Sequence, residues 1–331
     1  MDKARVQTDR KLRKVEKKLN KIYAQAEHEI YGKWDAYMER QAKKLAVLQK
    51  EYDDLIKAGK KDEARELSAK LKQKKQSVLL RNDEYKSMAQ ITADNMAKVN
   101  ATALAYVNGV MPEIYILNYN AVAGAVKEIG GISFNLVNQN AVKYMVMKNP
   151  NLIPRKTFNK YKDVKWNLKR INSSVLQGII QGESIPKIAK RLEPIFNNNK
   201  ASAVRNARTL VTSVENKGKL DSFEKLEEDG AVIKKIWVAT GDDRTRDWHL
   251  SMDGQEVDLD EDFEDGLGNS LAYPGDPNGE PETVYNCRCA MKPHIIGFRK
   301  PDGRIVEIER EQRENIHDKE IEQERKRRAD G

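Results

Sequence analysis

Residues 231–239 read AVIKKIWVA and are followed by Thr240-Gly241. Branched and aromatic side chains dominate this run, which is typical of a β-strand that ends at a turn. Most of the sequence before Gly230 instead repeats apolar residues at spacings of three and four, which is typical of helices. The sequence therefore predicts a mainly α protein with a small α+β module near its C-terminal end.

The first ninety residues predict a long helical hairpin. Residues 3–57 contain no proline and a single glycine, and apolar side chains such as Leu19 and Ile22 recur at helical spacing. Ala58-Gly59 is typical of a helix stop, after which the helical spacing resumes. We expect residues 1–90 to form an extended basic helical or coiled-coil arm that shares little core with the rest. Pairing with another helix and binding to a polyanion are the two functions considered for this arm.

The middle segment, residues 91–230, is predicted to be a helical domain. Its first part is the most apolar region of the chain, but Pro112 and Glu113 interrupt it, so we expect core helices and no membrane span. Asn197-Asn198-Asn199 is predicted to end one helix, and residues 204–214 are predicted to lie on the next.

Two further segments are predicted after residue 230. The α+β module has loops rich in glycine, proline and aspartate, which favour turns. The end of the chain is almost wholly charged, and we expect a solvated helix or a mobile tail there. The predicted order is therefore a helical arm (1–90), a helical domain (91–230), the α+β module (231–300) and the charged tail (301–331).

Charge is distributed unevenly along the chain. The net charge is +9, and residues 1–90 hold 24 Lys and Arg against 15 Asp and Glu. A second basic stretch contains the aromatic residues Phe158, Tyr161 and Trp166 among its cations. Because cations neutralise phosphates and rings stack on bases, this stretch is the candidate for non-specific binding of double-stranded DNA. An amphipathic surface with inward-facing aromatics is the alternative. The candidate residues are Lys143, Lys148, Arg155, Lys156, Lys160, Lys162, Lys165, Lys169 and Arg170.

Cysteine usage bears on the compartment in which the protein works. The sequence contains two cysteines, Cys287 and Cys289, and the single residue between them gives poor geometry for a structural disulfide. The basic start of the sequence is not followed by the apolar run of a secretory signal. We therefore expect a protein that is made and kept in the cytosol, or packaged from it.

Four pieces of sequence, in a fixed order and spacing, carry a resemblance to a known family. They are ATGDDRTRDWH (239–249), MDG (252–254), YPGDP (273–277) and NCRC (286–289). Together they resemble the C-terminal signature of the phage Mu F-like minor head protein family of tailed phages, most specifically over residues 200–292. The matching residues are Asp242, Asp243, Arg244, Arg246, His249, Asp253, Gly254, Pro274, Gly275, Asp276, Pro277, Asn286, Cys287, Arg288 and Cys289. Family members also carry an upstream Arg-Thr-Glu triplet, of which Arg208 and Thr209 are present here and the glutamate is replaced by Leu210.

The resemblance implies a structural part of a virus particle and not an enzyme. It implies a minor head protein, made in the host cytoplasm and present in few copies inside the head near the portal, that acts in head assembly and in DNA packaging or ejection. The implied partners are the portal protein, the major capsid protein and double-stranded DNA. An assembly chaperone or scaffold that is absent from mature particles is one alternative. An enzyme is another, either a metal-dependent DNA-processing enzyme using His249 with Asp242 or Asp243 or a toxin-like transferase. No catalytic residue is assigned, because the sequence offers no paired catalytic motif and no phosphate-binding glycine loop.

The signature residues themselves are predicted to be mainly structural. Asp242, Asp243, Arg244 and Arg246 directly follow the predicted strand, where oppositely charged side chains can close a loop by pairing. Asp253-Gly254 suits a tight turn.

A metal site is the alternative considered for the cysteines. Thiolate and imidazole suit zinc, so Cys287, Cys289 and His249 are candidate ligands, with His294 as a distant fourth. The resemblance adds that some family members have cysteines at the positions of Arg246 and His249. Because an arginine would repel the ion, the sequence favours buried thiols and no cofactor, with zinc as the second hypothesis.

Overall fold

Long helices dominate the protein, as the sequence predicts. The structure is a computed structural model, and it describes residues 2–129, 148–149 and 151–308. The long and short helices before the sheet are α1 (Asp2–Lys57), α2 (Lys61–Leu79), α3 (Asp83–Ile129), α4 (Lys160–Ile180), α5 (Ile185–Lys190) and α6 (Glu193–Glu228). The later elements are β1 (Ala231–Val238), α7 (Asp247–Ser251), β2 (Glu256–Asp258), β3 (Phe263–Glu264), β4 (Ser270–Leu271), α8 (Pro281–Val284), β5 (Ala290–Arg299) and β6 (Ile305–Glu307).

Helices α1 and α2 form the predicted hairpin. Gly59 has a φ of +74°, a conformation that glycine adopts without steric cost, and it lets the chain reverse between the two helices. The Tyr37 hydroxyl on α1 donates a hydrogen bond to the Val78 carbonyl on α2 at 3.3 Å. Tyr37 and Val78 lie at similar sequence distances from the turn, so the helices are antiparallel.

The described residues group into two compact units. One unit contains residues 17–105 and 157–203, and the other contains 2–16, 106–129, 148–149, 151–156 and 204–308. Helices α1, α3 and α6 contribute residues to both units. The division into segments 1–90, 91–230, 231–300 and 301–331 remains a prediction.

The unit of residues 17–105 and 157–203 has an aromatic core. Trp34 of α1 lies edge-on to Tyr85 with ring centres 5.9 Å apart, and its indole N–H donates to the Thr92 hydroxyl at 2.8 Å. Tyr31 of α1 packs against Phe196 of α6, with ring centres 5.3 Å apart. The expectation that residues 1–90 share little core with the rest is therefore wrong, because the large aromatic side chains of α1 are buried against later helices.

The three asparagines at 197–199 do not end a helix. They lie inside α6, which continues to Glu228. The Asn199 amide nitrogen donates to Asn167 of α4 at 2.9 Å, and its oxygen accepts from Asn100 of α3 at 2.8 Å. Asparagine favours helix ends because its side chain competes for the local backbone, but here neighbouring helices satisfy that side chain instead.

The other unit contains a four-stranded antiparallel sheet in the order β2-β1-β5-β6. Strand β1 confirms the prediction made for residues 231–239, and it pairs with β5 along its whole length, from Ala231 opposite Phe298 to Val238 opposite Ala290. Trp237 of β1 is fully buried and lies edge-on to Phe263, with ring centres 5.3 Å apart. Phe223 and Leu226 of α6 belong to the same hydrophobic core, so α6 covers one face of the sheet.

The predicted charged helical tail begins differently from the expectation. Residues 305–307 form strand β6, which pairs with β5 in the register Gly297 opposite Glu307. Gly297 permits this approach, since a Cβ there would lie 2.5 Å from the Val306 carbonyl oxygen. Residues 309–331 lie outside the described residues, so the helical tail remains a prediction.

The crossing of α3 and α6 depends on a glycine, which gives a first testable prediction. A Cβ at Gly218 would lie 2.8 Å from the Tyr115 carbonyl oxygen, an atom that the backbone holds in place. We expect Gly218→Ala to lower the free energy of unfolding by about 1–3 kcal/mol through overpacking. Gly109→Ala is the matched control on α3, where a Cβ meets nothing within 4 Å; it should be neutral or stabilise by up to about 1 kcal/mol. Urea unfolding measures both, and equal effects would contradict the prediction.

Candidate functional site: the C-terminal signature

Helix α6 holds the last piece of the signature through its side-chain hydroxyls. The Thr209 hydroxyl oxygen accepts a hydrogen bond from the Asn286 backbone N–H at 3.0 Å. One turn later, the Thr212 hydroxyl donates to the Cys287 carbonyl at 2.7 Å. Asn286 has a φ of +56°, a region that asparagine tolerates better than most residues. The Thr209 of the upstream motif and the Asn286 of the last motif are therefore direct partners.

Asn216 of α6 joins two pieces of the signature. Its amide oxygen accepts from the Met291 N–H at 3.1 Å, and its amide nitrogen donates to the carbonyls of Cys289 at 3.3 Å and Pro274 at 3.1 Å. The side chain is fully buried. Sequence reasoning missed this residue. The sequence does place it one helical turn after Thr212 and two turns after Thr209, so all three lie on the same face of the helix.

Gly275 and Asp276 shape the proline-rich piece of the signature. Gly275 has a φ of +83°, and a Cβ there would lie 2.9 Å from the Ser213 backbone nitrogen. The buried Asp276 carboxylate accepts hydrogen bonds from the backbone N–H groups of Ala272 at 3.2 Å and Asn278 at 2.9 Å. The loop is thereby closed on itself and held close to α6.

Asp242 and Arg288 join the first and last pieces of the signature. Both Asp242 carboxylate oxygens accept from the Arg288 guanidinium, at 2.6 and 2.7 Å. Thr245 also donates to this carboxylate at 2.8 Å. The hydrogen bonds from Arg288 hold the pKa of Asp242 well below its usual range, although partial burial opposes that shift. Asp243 is exposed, and Arg244 makes a longer contact of 3.5 Å with Asp242.

The remaining charged signature residues also contact backbone groups. Arg246 donates to the Tyr285 carbonyl, and the Asp253 carboxylate accepts from the Ala239 N–H at 2.8 Å. Gly254, with a φ of +80°, makes the turn that leads into β2. Arg208 lies elsewhere, in an exposed ion pair with Glu16 at 2.6 Å.

The start of α1 also reaches the signature, which sequence reasoning did not anticipate. Arg5 donates to the Arg288 carbonyl at 3.0 Å and pairs with the buried Glu215 of α6 at 3.2 Å. Lys219 pairs with the same carboxylate at 2.9 Å. Buried charges need such partners, because an unpaired one costs several kcal/mol.

His249, Cys287 and Cys289 lie together in the core, and each is about 2% exposed. The His249 Nδ1 atom is 3.5 Å from the Cys289 sulfur and 3.9 Å from the Cys287 sulfur. The hydrogen bond between the two thiol groups raises the pKa of Cys287 and lowers that of Cys289, and His249 lowers the pKa of Cys289 further. The three candidate ligands from the sequence are therefore neighbours.

His294 is not a member of this cluster. Its ring contacts the Glu256 carboxylate at 2.9 Å. His294 lies on β5 and Glu256 on β2, the two strands on either side of β1. In the acidic loop, the buried Asp265 carboxylate accepts from the backbone N–H groups of Leu267 and Asn269, both at 2.9 Å. Within the described residues, the set of potential ligand atoms that lie within 4.8 Å of one another consists of His249, Cys287 and Cys289.

The candidate DNA-binding residues have varied surroundings. Lys143 lies outside the described residues. Lys148 and Arg155 are exposed, whereas Lys156 is half-buried with its ammonium group 4.8 Å from the centre of the Tyr285 ring. The other candidates are all exposed at or on α4: Lys160, Lys162, Lys165, Lys169 and Arg170. Among the described residues, no helix combines the length and the apolar character needed to cross a membrane.

The Asp242–Arg288 pair gives a pH-dependent prediction. Because the folded-state pKa of Asp242 is depressed, its contribution to stability is complete above the ordinary carboxyl pKa of about 3.9 and is lost as the pH falls toward the folded value. We expect Asp242→Asn to lower the free energy of unfolding near pH 7 by about 1–2 kcal/mol. Between about pH 5 and pH 3, the free energy of unfolding should fall less in this variant than in the natural protein. Urea unfolding across this range measures the effect. The neighbouring exposed Asp243→Asn is the control, and a matching loss in both variants would refute the role of the pair.

Comparisons with known proteins agree with the signature. The family described as phage Mu protein F like protein matches residues 169–292. The minor head protein GP7 of Bacillus phage SPP1 is 26% identical over 285 residues, which cover 80% of this chain and 89% of that protein. No solved structure matches the chain.

A second relative is much longer than the shared segment. The NAD(+)–arginine ADP-ribosyltransferase EFV of Enterococcus faecalis is 33% identical over 143 residues, which cover 43% of this chain. The chain spans only 28% of the length of that enzyme. The match to the family extends from α4 to β5 and contains all four signature pieces, whose side chains hold one another in place. Residues 169–292 of this chain thus match the phage Mu protein F like family, and 80% of the chain is similar to the minor head protein of phage SPP1.

Proposed function

We propose that this protein is a structural component of a phage head, a minor head protein. The observation that carries the proposal is the similarity to the minor head protein of phage SPP1, which extends over 80% of this chain. An alignment of 285 residues exceeds the length of either compact unit, so it includes parts of both. The likeness therefore concerns most of the molecule and not the signature alone.

The geometry of the signature supports an architectural role. Asp242, Arg246, Asp253, Asp276 and Arg288 bind backbone carbonyls, backbone N–H groups or each other. The nuclease alternative named His249 with Asp242 or Asp243, but His249 is buried against two sulfurs and the Asp242 carboxylate is held by Arg288. The transferase relative does not favour an enzyme either, because most of its length lies outside the match.

We further propose a position inside the head near the portal, with the portal protein as the main partner and the major capsid protein as a second. The resemblance to minor head proteins motivates this position, and a role in DNA packaging or ejection follows from it. An assembly chaperone would have the same helical architecture but would leave the particle. The two functions therefore differ in whether the mature particle contains the protein.

Particle composition gives the corresponding prediction. We expect DNA-filled heads, produced by the phage that encodes this protein, to contain it in far fewer copies than the major capsid protein and cross-linked to the portal. Quantitative proteomics measures the copy number, and cross-linking mass spectrometry of intact particles identifies the neighbours. Empty precursor heads from the same preparation are the control. Presence in precursors with absence from filled heads would replace our proposal with the chaperone.

Helix α4 is the surface that we propose for contact with DNA. Lys162, Lys165 and Lys169 are three and four residues apart, so they lie on one exposed side of the helix. Trp166 on the same side is 41% exposed, and the Arg170 guanidinium lies 5.2 Å from its ring centre. Cations beside an exposed ring suit a nucleic acid, since phosphates and bases can both find partners there.

A salt-dependence measurement tests this surface. We expect the protein to bind duplex DNA of any sequence, and the triple variant Lys162→Gln, Lys165→Gln, Lys169→Gln to reduce the salt slope by roughly one for each phosphate that the protein no longer neutralises. Lys57→Gln, Lys61→Gln, Lys70→Gln removes the same charge from exposed positions of the α1–α2 hairpin. Fluorescence anisotropy at several salt concentrations gives both slopes.

The outcomes separate the two basic surfaces. A reduced slope in the α4 variant alone supports α4 as the DNA-binding surface. A reduced slope in the hairpin variant alone transfers DNA binding to residues 1–90, and an unchanged slope in both variants contradicts DNA binding by either surface.

A further inference from the structure

The cluster of His249, Cys287 and Cys289 has the dimensions of a zinc site. Zinc–sulfur bonds of about 2.3 Å and zinc–nitrogen bonds of about 2.0–2.1 Å, at tetrahedral angles, separate ligand nitrogen and sulfur atoms by about 3.6 Å and two sulfurs by about 3.8 Å. The observed separations from His249 Nδ1 are 3.5 and 3.9 Å, and all three ligand atoms lie within 4.8 Å of one another. Shifts of a few tenths of an ångström at the nitrogen–sulfur edges, and of up to about 1 Å between the sulfurs, would produce the tetrahedral arrangement.

Thiol hydrogen bonds explain this cluster less completely. A neutral imidazole nitrogen has one lone pair, so Nδ1 can accept a hydrogen from only one of the two thiols, and the second thiol then donates to the sulfur of the first. Both sulfurs nevertheless lie within 3.9 Å of Nδ1. Among the described residues, the other ring nitrogen, Nε2, has no hydrogen-bond partner. The two sulfurs therefore supply the polar contacts of this buried ring.

The neighbouring arginines do not oppose a metal ion in this arrangement. A zinc ion with two thiolates carries no net charge, so a nearby cation is not repelled by an uncompensated positive charge. Arg246 directs its guanidinium to the Tyr285 carbonyl, and Arg288 is neutralised by Asp242. The sequence favoured metal-free thiols because Arg246 was expected to repel a metal ion. With these partners, that repulsion does not oppose zinc binding.

We propose that His249 Nδ1 and the sulfurs of Cys287 and Cys289 bind a zinc ion, with a water molecule in the fourth tetrahedral position. Binding releases the two thiol protons to solvent, because the thiolate is the ligand. The ion ties α7, which carries His249, to the segment between α8 and β5. The same segment accepts hydrogen bonds from Thr212 and Asn216 of α6 at the carbonyls of Cys287 and Cys289. Zinc would therefore connect the first signature piece, which contains His249, to the last piece, which contains Cys287 and Cys289.

Metal content of the full-length protein tests the proposal. We expect protein purified under reducing conditions without chelator to contain about one zinc per chain by elemental analysis. Cys289→Ser and Cys287→Ser should each lose most of it. His294→Gln is the matched control, because His294 contacts Glu256 and lies outside the cluster; this variant should retain its zinc. A strong zinc chelator should lower the melting temperature of the natural protein and of His294→Gln, but not that of the cysteine variants.

Cobalt substitution keeps the test decisive if a cysteine variant fails to fold. Replacement of zinc by Co²⁺ in the natural full-length chain should produce thiolate-to-cobalt charge-transfer absorption and the visible bands of a tetrahedral site. Zinc-free protein that stays folded by circular dichroism, ignores chelator and shows no such bands with Co²⁺ would overturn the proposal in favour of metal-free thiols. Full zinc retention in a folded Cys289→Ser variant would overturn it as well, because the metal would then lie elsewhere.

Discussion

The backbone between Asn286 and Met291, which leads from the exposed Asn286 to the buried Cys289 and Met291, imposes the main constraint on the C-terminal module. This segment leaves the short helix α8 and enters β5 inside the core, where a backbone N–H or carbonyl without a partner costs free energy comparable to a lost hydrogen bond. Thr209, Thr212 and Asn216 of α6 supply those partners at intervals of three and four residues. One face of α6 therefore fixes the position at which β5 begins.

The other signature residues follow from the same close approach. Gly275 brings the proline-rich loop against the α6 backbone, and Asp276 satisfies N–H groups that the loop cannot pair itself. Arg288 then reaches back to Asp242, which closes the loop after β1. Residues that are more than thirty positions apart in sequence thus share one small volume. This explains why the signature is discontinuous in the sequence.

The unit of residues 17–105 and 157–203 is organised by a different polar interaction. Asn100, Asn167 and Asn199 from three helices form hydrogen bonds with one another and with Asp163, and the Tyr23 hydroxyl donates to Asn100 at 2.6 Å. Burial raises the pKa of Asp163, while the hydrogen bond from Asn100 opposes that increase. A buried network of this kind is satisfied in one helix alignment only, so it selects the register in which the helices pack. Long amphipathic helices can pack in several registers, because their apolar faces repeat along the helix. The polar network specifies one of these registers.

The sequence by itself determined the helical hairpin, the strand at residues 231–238 and the resemblance to the family, because these depend on local periodicity and on side chains at fixed spacings. It also supplied the residues that meet at His249, Cys287 and Cys289, but not their distances. Tertiary structure alone decided that Asn199 lies within a helix, that Trp34 is part of a shared core, and that residues 305–307 form a strand. It likewise gave Asn216 its role and connected Arg5 to the signature. Strand β6 pairs with the neighbouring residues 297–299 of β5. In the other cases the partner is far away in sequence, and contact with that partner, which no local pattern encodes, outweighs the intrinsic preference of the residue.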